Sequence, residues 1–142
     1  MNKTLLIVIG VLLLLSPLIT KIPPLQGKLD GPGFCGSCHL MDPLVETWAH
    51  SAHREVASCS DCHIPQDFFR GAYYKAYVGA RDAIDMILGT WPTPIKLSGH
   101  GGVVTQENCY RCHSTVLSTT NETTSGKSRQ CWDCHRNTPH SL

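Results

Sequence analysis

The sequence has little charge of either sign. Charged side chains make up only 16% of the chain, and the formal net charge at pH 7 is +1. A chain so close to neutral has no strong field to attract a polyanion, and it carries no nucleic-acid-binding motif. Nucleic acid is therefore not among the expected partners.

Aliphatic residues are also sparse once the N-terminal segment is set aside. The remaining chain is too poor in them to build a self-sufficient apolar core for its length. Something other than side chains is therefore expected to fill the interior, and the cysteines indicate what it is.

Cysteine is present in unusual number, and every cysteine falls in one motif. Each C-x-x-C pair is followed at once by His, which is the attachment signature of c-type haem. The eight cysteines are Cys35, Cys38, Cys59, Cys62, Cys109, Cys112, Cys131 and Cys134. The four motif histidines are His39, His63, His113 and His135. This spacing suits two thioether bonds to one porphyrin with an imidazole over its iron, so we predict four c-type haems.

Structural zinc sites of four thiolates each, or disulfides in an exported protein, would also use C-x-x-C pairs. Neither needs a His after every second Cys. Haem also answers the shortage of apolar residues, because four porphyrins would fill the interior and their thioether bonds would constrain the unfolded chain. We therefore expect the domain not to fold without haem.

The N-terminus carries an uncharged run of 17 residues, Thr4 to Thr20, between Lys3 and Lys21. As a helix it would span roughly 25 Å, slightly less than a hydrocarbon core of about 30 Å. No small-x-small cleavage site follows it, so a membrane anchor is expected rather than a cleaved signal peptide.

We expect residues 1–22 to form the anchor and residues 23–142 to form the haem domain. The flanking lysines do not orient the anchor. Bacterial c-type haem is attached on the outer side of the cytoplasmic membrane. The expected topology therefore has the N-terminus in the cytoplasm and the haem domain in the periplasm.

The spacing of the motifs indicates an internal repeat. Cys35 and Cys59 are 24 residues apart, Cys109 and Cys131 are 22 apart, and a step of 50 residues separates the two pairs. We predict two di-haem units joined by a helix over 66–88, with a shorter helix running from Asp42 toward His53 and a surface loop over 114–130. The predicted fold class is mainly α with little regular structure, comprising one transmembrane helix and a compact tetrahaem domain.

The first motif offers two candidate iron ligands, His39 and Met41, that lie two residues apart. Two residues span about 7 Å, which is too short to pass around a porphyrin edge, so both compete for the same face. One of them is displaced, and the opposite face need not be filled locally. Met41 would raise the haem potential as a ligand, but it could also simply pack on the porphyrin.

Other histidines lie outside the motifs. His53 is a candidate distal ligand, and so is His140, which follows His135 too closely to cap the same haem but can reach a neighbouring one. His50 and His100 are weaker candidates, for which a surface position is the simpler interpretation.

These residues resemble the NapC/NirT family of membrane-anchored multihaem quinol dehydrogenases over nearly the whole chain. The matching segments are CGSCHLM, SAH, SCSDCHIP, KAYVGARD, QENCYRCH and DCHRNTPH. The resemblance implies that Met41 binds the first iron with His39 turned aside, that His140 caps the second haem and that His53 caps the third. It also implies that the fourth haem has His135 on one side and a residue of a catalytic partner on the other.

Lys75 and Asp82 fall on one face of the predicted long helix, roughly 10 Å apart along its axis. Taken alone, they fit a solvated charge pair. The helix also carries aromatic residues suited to a membrane interface, namely Phe68, Phe69, Tyr73, Tyr74 and Tyr77. The resemblance implies that Lys75 and Asp82 line a menaquinol site beside the first haem.

The resemblance implies a cytochrome that takes electrons from the membrane quinol pool and passes them to a periplasmic multihaem partner. The expected partner is the catalytic subunit of the ammonia-forming cytochrome c nitrite reductase, within a higher-order complex; the chain itself is not the expected site of nitrite reduction. Other interpretations are a donor to nitrate or trimethylamine-oxide reductase, a plain electron carrier without a quinol site, and a small reductase acting on nitrite or hydroxylamine.

Overall fold

The computed structural model describes residues 2–118 and 129–140, and the regular structure within these ranges is helical. The α-helices are α1 Lys3–Leu15, α2 Pro23–Leu29, α3 Pro32–Cys35, α4 Asp42–Ala49, α5 Cys59–His63, α6 Phe68–Leu88, α7 Gly99–Leu117 and α8 Cys131–Cys134. Short 3-10 helices lie at Ser16–Lys21, His39–Met41 and Ala52–Glu55. Only α1, α6 and α7 exceed three turns, so much of the haem domain consists of short turns around its motifs.

Helix α1 is apolar on all sides and buries none of its residues against the rest of the described chain. Side chains such as Leu13, 68% exposed, and Ile7, 66% exposed, point outward. A helix with this character is suited to a lipid surrounding. With the 3-10 helix that follows, it forms a span of 19 residues from Lys3 to Lys21, long and apolar enough to cross a membrane.

Helix α6 lies close to the predicted bounds. It begins after Asp67 and ends at Gly89, whose φ of 66° is the left-handed conformation that glycine adopts at helix ends. Its first half packs against the 3-10 helix at the end of the anchor, and the Tyr73 hydroxyl donates a hydrogen bond of 2.6 Å to the Leu14 carbonyl. The helix that joins the two predicted units is therefore fastened to the anchor.

The predicted loop over 114–130 is wrong at its beginning. Helix α7 continues through the third haem motif to Leu117, and residues 119–128 lie outside the described part of the chain. Ser98 caps the helix by accepting a hydrogen bond of 3.0 Å from the Gly101 amide, and α7 packs against α5 while burying Val104. These contacts hold the part of α7 that precedes the third motif, and the helix runs on through the motif as far as Leu117.

Candidate functional site

The second and fourth haem motifs form single helical turns that begin in the same way. The Asp before the second Cys reaches back to the residue before the first Cys. Asp61 accepts a hydrogen bond of 2.8 Å from the Ser58 amide, and Asp133 accepts one of 2.7 Å from the Gln130 amide. Each motif therefore carries its own helix cap, which fixes the direction in which its cysteines leave the backbone.

The first and third motifs begin differently. Cys35 is the last residue of α3, and His39 follows in the next 3-10 helix. In the third motif, the segment from Cys109 to His113 lies wholly within α7. Each predicted di-haem unit therefore contains one motif that begins within a preceding helix and one motif that forms its own capped turn.

No disulfide joins any of the eight cysteines, and the first cysteines of paired motifs lie together. A hydrogen bond with Cys59 lowers the pKa of Cys35 to about 7, and the same bond raises the pKa of Cys59. In the second pair, burial followed by the charge of Cys131 raises the pKa of Cys109 to about 12. The two motifs of each unit are therefore neighbours in space as well as in sequence.

Helix α7 connects the two units. The Asn108 side-chain amide, 7% exposed, donates hydrogen bonds of 3.0 Å to the carbonyls of both Cys62 and Ile64. Two residues earlier, the Gln106 side chain accepts a hydrogen bond of 2.9 Å from the Cys131 amide. The helix that contains the third motif therefore also positions the second and the fourth.

Two pairs of imidazoles face each other at similar distances. The ring centroids of His53 and His113 are 6.1 Å apart, and those of His63 and His140 are 6.2 Å apart. Two imidazoles on opposite sides of one iron, each at a metal–nitrogen distance of about 2 Å, would have centroids about 6 Å apart. The structure thus brings each predicted distal histidine beside a motif histidine.

The remaining ligand candidates lie in more open surroundings. His39 is exposed and Met41 half-buried in the 3-10 helix that contains both, and His135 is exposed at the end of α8. His50 contacts the Glu46 carbonyl through Nδ1 at 2.8 Å, and the His100 ring packs edge-on against Tyr74 with centroids 5.2 Å apart. His50 and His100 therefore each have a local structural contact.

Lys75 is paired with Asp30, five residues before the first motif. Its ammonium donates to the Asp30 carboxylate and to the Leu29 carbonyl at 3.0 Å. Asp82 lies about two turns further along α6 and is exposed, and partial burial followed by the Asp85 charge raises its pKa, against the opposing effect of Arg81. Among the described residues, the ion pair of Lys75 is with Asp30 and not with Asp82.

The predicted aromatic residues of α6 divide by exposure. Phe68, Phe69, Tyr73 and Tyr77 are exposed, whereas Tyr74 is half-buried. A shallow groove on α6 lies between Tyr77 and Asp85, and neither Lys75 nor Asp82 lines it. The candidate quinol site is therefore identified by the contacts of Lys75 and not by a cavity.

The model of the NapC/NirT cytochrome c family, N-terminal region, matches residues 2–142. The chain belongs to the NapC/NirT family. It is 37% identical over 120 residues to the cytochrome c-type protein NrfH of Wolinella succinogenes, covering 77% of this chain and 68% of the relative. It is 38% identical over 113 residues to the cytochrome c nitrite reductase subunit NrfH of Nitratidesulfovibrio vulgaris, covering 78% and 68%.

A solved structure leads to the same family. The chain superposes with a TM-score of 0.73 and 32% identity on a chain of the cytochrome c nitrite reductase NrfHA complex bound to the HQNO inhibitor. The match covers 92% of this chain and 88% of that one. The predicted helical cytochrome fold is thereby confirmed, and NapC/NirT membership makes the protein a c-type cytochrome of a membrane-anchored, electron-transporting family.

The residues present fit c-type haem. No disulfide joins any of the motif cysteines, two histidine pairs have the spacing of paired iron ligands, and the described residues bury only Ala72 and Val104 as apolar side chains. Such a small apolar core does not hold a domain together by itself. NapC/NirT membership and this geometry therefore support the same prosthetic group.

Two residues of the candidate site, Asp30 and Thr47, were not predicted from the sequence. Asp30 binds Lys75, and Thr47 contacts His140 between Oγ1 and Nδ1 at 3.2 Å. Both lie outside the haem motifs and join segments 45 and 93 residues apart. Their only sequence signal is proximity to a motif, since Asp30 precedes Cys35 and Thr47 follows Met41 on α4.

Proposed function

We propose that the chain is a membrane-anchored tetrahaem cytochrome that oxidises menaquinol and passes the electrons to the catalytic subunit of a periplasmic cytochrome c nitrite reductase. Residues 1–22 would be the anchor and residues 23–142 the periplasmic haem domain, with the N-terminus in the cytoplasm. In support, the two relatives are NrfH proteins and the solved structure is an NrfHA complex.

The eight cysteines would hold four haems through thioether bonds. Met41 would bind the first iron, His63 with His140 the second, and His53 with His113 the third. The fourth would have His135 on one side and a residue of the partner on the other. The spacing of the two imidazole pairs supports the middle assignments. When bound, haem supplies one-electron redox chemistry, and the protein supplies ligands, spacing and charge.

One observation carries the quinol site: the Lys75 ammonium lies beside the first motif, at the membrane end of the domain. Its charge, with that of Asp30, acts on Cys35, and α6 is fastened to the end of the anchor. A lipid-soluble reductant leaves the bilayer at this end. Lys75 would donate a hydrogen bond to a quinol oxygen, and Asp82 would accept a proton from a quinol hydroxyl.

Replacing Asp82 tests this assignment. We expect Asp82→Asn to lower quinol oxidation by about 100-fold or more, because the variant has no carboxylate to accept the proton. In the wild type, Asp82 must be ionised to act, so the rate should fall as the pH falls through its raised pKa. That acidic limb should disappear in Asp82→Asn. The measurement is menaquinol-dependent nitrite reduction by the detergent-purified complex across pH, with haem content determined in parallel.

Asp85→Asn is the matched control. The charge of Asp85 helps to raise the pKa of Asp82, so this variant should keep its rate at neutral pH and move the acidic limb to lower pH. Unchanged turnover in Asp82→Asn, with all haems present, would exclude the assigned role. Reduction of the haems by dithionite but not by menaquinol in the wild type would exclude the proposed function itself.

A further inference from the structure

The ion pair between Lys75 and Asp30 differs from an ordinary surface pair. The two side chains are only 15% and 20% exposed, and the ammonium is also bonded to the Leu29 carbonyl. Surface ion pairs contribute little because solvent screens them and both side chains stay mobile. Here the ammonium is fixed from two directions by one segment of chain, the end of α2.

Asp30 is itself held in place by other residues. Its carboxylate accepts a hydrogen bond from Lys75, and its backbone carbonyl accepts one of 3.1 Å from the Ser60 amide. Partial burial acts to raise the pKa of Asp30, but Lys75 and the polar side chains of Ser60 and Gln26 lower it overall. The carboxylate therefore stays ionised in a fixed place.

This network lies between the first two haem motifs. Asp30 is five residues before Cys35, and Ser60 is the neighbour of Cys59. The Cys35 and Cys59 side chains are neighbours, and the charges of Lys75 and Asp30 both act on Cys35. Asp30 thus joins the segment after the anchor, the second motif and α6 at one point.

The carboxylates of Asp30, which binds Lys75, and Asp82, two turns further along α6, have different surroundings. Asp30 is ion-paired and its pKa is lowered, whereas Asp82 is exposed on α6 and its pKa is raised. A carboxylate with a lowered pKa is a poor proton acceptor, and one with a raised pKa is a better one. The environments therefore separate a positioning role from a proton-accepting role.

We propose that Asp30 is the positioning residue of the quinol site, holding the Lys75 ammonium beside the first haem motif for contact with a quinol oxygen. An ammonium has three N–H donors. The Leu29 carbonyl and the Asp30 carboxylate take two of them, which leaves one for the substrate. This role rests on the proposed quinol oxidation, and it adds a residue that acts through Lys75 rather than on the substrate.

The test is a double-mutant cycle on the full-length holoprotein in detergent, with dimethylnaphthoquinol as the reductant and haem absorbance as the signal. Asp30→Asn and Lys75→Gln should each raise the quinol concentration for half-maximal rate about tenfold, the size expected for one charged hydrogen bond, with a smaller change in maximal rate. The double variant should be no worse than either single variant, because Asp30 acts only through Lys75.

Glu107→Gln is the matched control. Glu107 forms an ion pair of 3.0 Å with Arg70, which also lies on α6, so the variant removes a solvent-exposed ion pair elsewhere on the same helix. It should leave the quinol dependence unchanged. Haem content and dithionite reduction should match the wild type in every variant, which separates positioning from a merely structural role.

A wild-type quinol dependence in Asp30→Asn would overturn this inference but not the proposed function. A roughly hundredfold effect in the double variant would do the same, because it would mean that Asp30 and Lys75 act independently of each other. Failure of the quinol to reduce the wild type would overturn the proposed function and this inference together. Should Asp30→Asn lose haem, Ser60→Ala replaces it, since the Ser60 side chain is one of the groups that lower the pKa of Asp30 and keep its carboxylate ionised. It should raise the half-maximal quinol concentration about threefold, and no change would count against the proposal.

Discussion

Thr47 connects the first part of the haem domain to its last described residue. Its hydroxyl donates to the Pro43 carbonyl at 2.9 Å or the Leu44 carbonyl at 3.0 Å. Its oxygen lies 3.2 Å from Nδ1 of His140 and accepts a hydrogen bond when Nδ1 carries the proton, and the Leu44 carbonyl is a second acceptor beside the His140 ring. A proton on Nδ1 leaves Nε2 as the free nitrogen, and a hydrogen bond of this kind orients a metal-binding imidazole and makes it more basic.

Thr47→Val should therefore raise the midpoint potential of the haem that His63 and His140 are proposed to bind. The valine side chain cannot accept a hydrogen bond from Nδ1. The imidazole then donates less electron density to the iron, so the ferric state is less stabilised. A hydrogen bond of about 0.5–1.5 kcal/mol corresponds to about 20–60 mV for one electron. Potentiometric titration followed by electron paramagnetic resonance measures this haem. Thr47→Ser keeps the hydroxyl and should stay at the wild-type value; a Thr47→Val potential equal to wild type would contradict the role.

At the residue scale, features set by short sequence patterns could be predicted, whereas contacts between distant residues could not. The C-x-x-C-H motifs identified every candidate haem cysteine, because the attachment chemistry is written in five consecutive residues. The contacts of Asp30 with Lys75 and of Thr47 with His140 depend on how distant segments pack. A single sequence does not encode such contacts in any local spacing.

At the scale of elements, the contact between α6 and the anchor sets the position of the candidate quinol site. Gly71 is buried at the start of α6, against the turn that precedes the helix and beside the Lys21 side chain at the end of the anchor. A Cβ at this position would meet the Pro65 carbonyl and would lie 2.8 Å from Nζ of Lys21. The lysine end can move, but the backbone carbonyl cannot move freely, so glycine is required for the close packing of α6 on the turn before it.

Gly71→Ala should destabilise the holoprotein by about 1–3 kcal/mol, the usual cost of overpacking. Gly79→Ala on the same helix is the control, because a Cβ there meets nothing within 4 Å. The control should gain up to about 1 kcal/mol from the better helix propensity of alanine. Thermal unfolding in detergent, followed by circular dichroism and haem absorbance, measures both. Equal shifts in the same direction would show that the close contact has no energetic weight.

The two long helices of the haem domain show what local signals could predict. For α6, Pro65 before the predicted helix, Asp67 in its predicted first turn and Gly89 after it marked the bounds to within two residues. For α7, the Ser/Thr-rich residues after His113 indicated a loop, and this prediction was wrong there because the helix, which packs against α5 further upstream, continues to Leu117. Signals for helix ends are local in sequence, whereas the contacts that hold a helix in place are not.

At the scale of the whole molecule, motif order in sequence is also motif order in space. Cys35 contacts Cys59, the charge of Cys112 acts on Cys62, and Cys109 contacts Cys131. Each motif is thus beside the next one along the chain. Electrons that enter at the first haem would therefore have a continuous path to the fourth, which makes the fourth the expected exit to the partner.

Removing the fourth haem should separate entry from exit. In Cys131→Ser/Cys134→Ser, the protein should carry one haem fewer, and menaquinol should still reduce the others because Lys75, Asp82 and the first motif are unchanged. Nitrite-dependent reoxidation in the complex should be lost, since the path ends one haem short of the partner. Haem analysis and stopped-flow absorbance measure the two steps. His100→Ala, outside every motif, should keep both steps. Reoxidation by nitrite at the wild-type rate with one haem missing would mean that electrons leave from another haem.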